Sequence, residues 1–410
     1  MTKSNPGRTA GARACSGDDL LRLDFTIRDN LDLGAHLGAH SAPKQLHQDL
    51  RNALIAALLL TGWAHPERWT AYARDRNAYT RMRRHFGADV SHKRMLWAVE
   101  SLEVAGLVEH RKIQPGSQRR FRSTLRATDK LLAMSPITHV SQLCRRTREP
   151  ITLKNADGQL VSYRDCRDTR AWRTDVNQQN EALGSLVLTC ELPGWMATAH
   201  GLLTHDRRLL NPSQDALYRV FNRDWNYGGR FYGAWWQGIG FSERSHIRIN
   251  GEPVFEADYE YFHPTLLAAA AGIELSCDPY FVTGVDRPIA KMVFVTMLNA
   301  STERSAVLAI QNELVDRGAS APRQEAIRLA AAIKAHNPQF AGAWCTGVGL
   351  RLQCIDSHMC SDVQRTMRQA GHPVLSVHDS FVVGASKKDL LRQVMNDVLN
   401  APKSNFEMVW

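Results

Sequence analysis

PVFEADY, residues 253–259, and HPVLSVHDSFVVGA, residues 372–385, decide how this chain is read. The first is a β-type run ending in an acid, after which His263-Pro264 opens the helix TLLAAAAGI that Gly272 closes. Asp258 is therefore expected where a strand gives way to a turn and helix. In the second stretch, two β runs meet at a tight His378-Asp379 junction, a hairpin with an acid at its tip. Two strand-end aspartates joined across an antiparallel sheet suit two magnesium ions, which two-metal sites hold about 3.5–4 Å apart. Magnesium takes carboxylate, phosphate and water oxygens, so Asp258 and Asp379 are the expected metal ligands. Taken singly, each Asp is equally explained as a turn or capping residue.

A third element lies between them. In DRPIAKMVFVTMLNAS, residues 286–301, Asp286 is placed to cap a helix with Pro288 in its first turn, and Arg287, Lys291, Val295 and Asn299 recur every four residues. Two cations one turn apart near a helix start suit nucleotide phosphates. Read alone, the segment is an amphipathic helix with two snorkelling basic side chains.

The chain of 410 residues, 44% apolar and 22% charged, is long enough for two or three packed domains. A formal charge of +10 and a pI near 9.3 favour a polyanionic partner, nucleic acid first. The eight cysteines form no CxxC pair and no zinc-type ladder, so reduced thiols in the cytoplasm are expected. No apolar leader and no spanning stretch of ~18 apolar residues is present, and no membrane partner is expected. Residues 1–18 are expected to be a disordered tail.

QLHQDLRNALIAALLLTGW, residues 45–63, has helical apolar spacing. Ser91 caps a second helix that Gly106 stops, and VEHRKI, PGSQ and RRFRSTLRAT follow as two extended segments around a basic turn. Helix then basic hairpin is the outline of a winged helix over residues 19–135, with Arg111, Lys112, Arg119, Arg120, Arg122 and Arg126 as DNA-contacting cations. The same outline describes an ordinary helix and hairpin with a solvated face. Residues 136–245 read as a thumb-like or linker region: a short hairpin, ITLKNADGQLVSY, then a helical stretch with Arg164, Arg167, Arg170 and Arg173 on one side. Phosphate contact and a solvated face explain these arginines equally.

In order, strand-end acid, Arg/Lys helix and His-Asp hairpin resemble the palm and fingers motifs of family A DNA polymerases and of the single-subunit RNA polymerases of phages and mitochondria. The likeness spans roughly residues 224–383. Asp258-Tyr259 is similar to the first acid motif of the DNA polymerase I type, and Arg287 and Lys291 match the paired cations of the second motif. His378-Asp379-Ser380-Phe381 resembles the third motif as the RNA polymerases carry it. Asp224-Trp225 with Gly229-Arg230 is similar to a segment of the RNA polymerases whose Arg lies near the template–product hybrid. Asp356-Ser357-His358 resembles an Asp-Gly-Ser-His segment whose His positions the ribose. Departures are Asn299-Ala300, where the families have an aromatic and Gly, and His263 at the sugar-sensing position. A bulky His263 excludes a 2′-hydroxyl, yet its imidazole is also able to hydrogen-bond one.

The resemblance implies an α+β right-hand polymerase: an antiparallel β palm at residues 246–273 and 351–410, helical fingers at 274–350, and the winged-helix region ahead of them. Its implied catalytic set is Asp258, Asp379 and Lys291, with Mg2+ as cofactor in two copies and Mn2+ as a substitute. Nucleotide-binding roles fall to Arg287, Tyr259, His263, Asn299 and His358, and nucleic-acid contact to Arg230 and His378 beside the wing cations. Expected partners are template and primer or nascent DNA, nucleoside triphosphates and an accessory replication protein. The expected activity is DNA-dependent DNA polymerase or primase-polymerase of a phage, plasmid or integrated element, without proofreading. The alternatives are an RNA-making primase or small RNA polymerase, a non-catalytic DNA-binding initiator, and a two-metal nuclease, which leaves the Arg287/Lys291 helix unexplained.

Overall fold

A computed structural model describes residues 21, 23–28, 31–113, 123–146, 148–205, 208–275 and 277–401. The tail at residues 1–18 and the wing cations Arg119, Arg120 and Arg122 lie outside the described residues. The fold mixes helices and strands, as an α+β protein does. The chain divides into two units, residues 1–149 with 192–214, and residues 150–191 with 215–410. The residues expected as one thumb-like or linker region, 136–245, fall in both units.

In the first unit, α1 (Gln45–Ala64) is followed by β1 (Thr70–Tyr72), α2 (Arg76–Phe86), α3 (His92–Val104), β2 (Val108–Arg111) and β3 (Ser123–Ala127). The three strands form an antiparallel sheet in the order β1-β3-β2. The Ser91 side chain caps α3 by accepting from Arg94 N at 3.4 Å. Gly106, at φ 68°, lets the chain turn out of α3 into β2 where a Cβ is disfavoured. Leu54, Leu58, Met95, Leu102 and Leu125 share one apolar core, so the sheet and both long helices close over each other.

The second unit begins with β4 (Ile151–Lys154), α4 (Arg167–Gly184) and β5 (Leu188–Cys190), then β6 (Tyr218–Asn222) and β7 (Gly228–Tyr232). The expected hairpin at residues 151–163 closes through an antiparallel bridge, Lys154 to Leu160, and a backbone hydrogen bond from Val161 N to Leu153 O at 2.9 Å, while β4 also runs parallel to β6. Arg164 precedes α4, and Arg173 is paired with Asp165 at 2.6 Å.

There follow β8 (Ile247–Ile249), β9 (Glu252–Asp258), α5 (Phe262–Ala271), α6 (Arg287–Asn299), α7 (Glu303–Asp316), α8 (Pro322–His336), α9 (Gly349–Gln369), β10 (Leu375–Val377), β11 (Ser380–Gly384) and α10 (Lys388–Asn400). Five strands pair in the order β10-β11-β9-β8-β5. Leu352, Met359, Val363 and Met367 form the buried stripe of α9, which packs on β7. Gly229, at φ 83°, permits that approach: a Cβ there would stand 2.6 Å from Ser357 Oγ. Asp286 precedes α6 but makes no side-chain cap, contrary to expectation, while Pro288 does sit in the first turn.

Candidate active site

The register of β9 on β11 pairs Ala257 with Phe381 and Asp258 with Ser380, the residue next to Asp379. Directly opposed Cα atoms lie about 4.5–5.5 Å apart, and one further residue adds at most about 3.8 Å. The two acids therefore share one end of one strand pair. Among the described residues neither has an ion-pair partner, whereas Glu256, two residues back on the same face, is held by Arg244 at 2.7 and 2.9 Å and accepts from Ser380 Oγ. The result is an uncompensated negative end. Desolvation and then the Asp379 charge hold the Asp258 carboxyl above the usual range, with Lys291 opposing the rise.

The hairpin that presents Asp379 is tight: Val377 pairs with Ser380, and His378 takes φ 61° as the first of the two turn residues. Positive φ at that position is the habit of a II′-type turn and favours glycine, so an imidazole there marks local strain beside the acid. The His378 ring stands edge-on to Tyr232 with centroids 5.5 Å apart. Burial and then the Arg230 charge lower its pKa, which keeps it neutral.

A second cluster lies nearby. Asp356 on α9 is fully buried and accepts from Arg230 Nε at 3.0 and 3.2 Å, with a further short contact from Nη2. His263 Nε2 lies 3.2 Å from the same carboxylate. Arg230 Nη2 and Nε2 of His263 are also 3.4 Å apart, and the ring tautomer sets whether Nε2 accepts from Arg230 or donates to Asp356. Arg230 and His263 thus face a buried acid.

The remaining expected residues divide. Lys291 is exposed and close enough to Asp258 to oppose its upward shift. Arg287 is paired with Asp278 at 2.8 Å and lies over the rings of Tyr261 and Tyr280 at 5.2 and 5.5 Å. Tyr259 was expected at the sugar floor. Its hydroxyl is buried and donates to Met395 O at 2.8 Å, and its ring stacks on Phe262 with centroids 4.5 Å apart. Asn299 donates from Nδ2 to Val295 O at 2.9 Å, and its Oδ1 fills the space a side chain at Gly349 would need. His358 packs against Trp172 with centroids 5.5 Å apart, two residues round the helix from Asp356. Burial and then Arg219 and Arg365 push its pKa down to about 3. In the first unit, Arg111 lies 3.7 Å over Trp69, Lys112 pairs with Glu103 at 3.0 Å, and Arg126 bridges Glu67 and Glu109 at 2.6 Å each.

The sequence motif Asp356-Ser357-His358 gave Asp356 no role of its own, and nothing in the sequence singled out Glu256 or Arg244. For Asp356 a signal existed: an acid inside the apolar stripe of a helix is seldom buried unless paired. A cleft beside β9 is lined by Glu256, Asp258, Glu260, Thr265, Arg392 and Asn396. Among the described residues no group of three or more His, Cys, Asp or Glu side chains forms a closed metal cage. Two carboxylates alone fit a magnesium site only where phosphate and water complete the shell, which is how magnesium is commonly bound. Among the described residues no helix is long and apolar enough to cross a membrane. No known protein-family pattern and no curated protein matches this chain.

Proposed function

We propose that the chain is a template-directed nucleotidyltransferase, a DNA-dependent DNA polymerase or primase-polymerase serving a phage, plasmid or integrated element. One observation carries the reading: Asp258 opposite Ser380 brings two acids with no ion-pair partner among the described residues to one sheet end. The five-stranded sheet supports a palm, and α6 to α8 support helical fingers. The order α1, β1, α2, α3, β2, β3 with its three-stranded sheet supports a winged helix that meets duplex DNA.

Asp258 and Asp379 would hold two magnesium or manganese ions, which when bound activate a primer hydroxyl and neutralise the triphosphate. The chain supplies the rest. Lys291, exposed one turn into α6, offsets charge on departing pyrophosphate and offers it a proton from Nζ. Arg287, anchored through Nε by Asp278, presents its remaining N–H groups to terminal phosphates. His263, tethered to Asp356, keeps a fixed ring near the sugar, which supports a preference for deoxynucleotides. Neutral His378 and part-exposed Tyr232 flank the acid tip.

The test is extension of a primed DNA template with magnesium and either deoxy- or ribonucleotides. Wild type extends with deoxynucleotides and Asp258→Asn and Asp379→Asn do not; extension by either variant at the wild-type rate overturns the assignment.

A further inference from the structure

We infer that Asp356 is a positioning residue that holds the Arg230 guanidinium away from Asp379, leaving the Asp258/Asp379 pair open to a cation. The inference rests on reading that pair as a metal site. Arg230 is a long cation only 18% exposed, and a guanidinium so placed requires an anion. Two acids compete for it. Asp356 contributes the larger hydrogen-bonded interaction, and Asp379 is close enough that its charge also stabilises protonated Arg230. Asp356 wins because it is fixed in the buried stripe of α9 and receives both Nε and Nη2, the fork geometry that carboxylates bind best.

His263 completes the hold. Its Nε2 lies 3.2 Å from Asp356 Oδ2 and reaches it from α5, so the carboxylate is met from a different element than the β7 strand that carries Arg230. Gly229 gives β7 its close seat on α9, which fixes where the Arg230 stem begins. Without the Asp356 charge, Asp379 is the other acid whose charge reaches the part-buried guanidinium. An arginine paired there competes with a divalent cation for the same oxygens.

The experiment titrates Mn2+ into the full-length chain and reads free Mn2+ by electron paramagnetic resonance, with circular dichroism confirming the fold of each variant. Asp356→Asn is expected to weaken Mn2+ binding about tenfold, the scale seen when groups that orient metal ligands are removed. Asp356→Asn with Arg230→Gln is expected to return to within about twofold of wild type, because the competing cation is gone. Arg230→Gln alone is expected to bind Mn2+ as tightly as wild type or more tightly, which keeps the test decisive if Asp356→Asn does not fold. Unchanged Mn2+ binding in folded Asp356→Asn overturns the proposal, as does no recovery in the double variant or weakened binding in Arg230→Gln. Should wild type bind Mn2+ through Asp258 and Asp379 yet extend no primer, the polymerase reading falls while this one stands. If Mn2+ binding is indifferent to Asp258 and Asp379, this inference falls too.

Discussion

Two sets of acids in the second unit are built on opposite principles. Asp356 is buried and saturated, with Arg230 and His263 on its oxygens. Asp258 and Asp379 stand at a sheet end with no ion-pair partner among the described residues, and the Asp379 charge helps hold the Asp258 carboxyl above the usual range. Burying a charge is tolerable only when it is compensated. The contrast therefore separates a buried acid whose charge is compensated inside the fold from an exposed Asp258 whose charge Asp379 opposes, a state that a cation would relieve.

The sharpest way to break this contrast is to remove each kind of acid and measure stability. Asp356→Ala leaves Arg230 buried without its partner and should cost about 3–5 kcal/mol in urea unfolding. A loss below ~1 kcal/mol would show that Asp356 is not structural. Next in size is Lys291→Ala, expected to lower kcat for primer extension about 100-fold, the lower range for loss of a proton donor. Arg287→Ala should act mainly on KM for the triphosphate, and equal effects of the two on KM alone would erase the proposed division of labour.

The strand-end acids were legible because their signals are local: β runs ending in Asp, and a two-residue junction. Asp258 does end β9 and Asp379 does lie in the turn before β11. Partners distant in sequence were not legible. Nothing in EVAGLVEHRKI announces that Glu103 meets Lys112, or that Arg126 is shared by Glu67 and Glu109. Likewise the return of residues 192–214 to the first unit depends on contacts such as His200 stacked on Trp63 at 4.7 Å, between residues far apart in sequence.

A pH titration sharpens the comparison further. A raised Asp258 pKa means that protons compete for its oxygens at higher pH than for an ordinary carboxylate. The magnesium concentration needed for half-maximal extension should therefore rise as pH falls through that raised value. A requirement flat over the acid range contradicts the shift.

The smallest effect concerns stability at the pair. Because the folded-state pKa of Asp258 is raised, its ionisation weakens the fold near neutral pH, and the penalty disappears as pH falls. Asp258→Asn should raise Tm by about 1–3 °C without metal, since the site is partly solvated and screened. A lowered Tm would mean that the acid pair is not in mutual repulsion.

Most direct of all is calorimetric titration of magnesium into the full chain with a bound, non-hydrolysable deoxynucleoside triphosphate, for wild type, Asp258→Asn and Asp379→Asn. Wild type should bind two ions per chain, and each variant should bind at least tenfold more weakly. Equal binding by all three proteins would contradict a cation site at the Asp258/Asp379 sheet end.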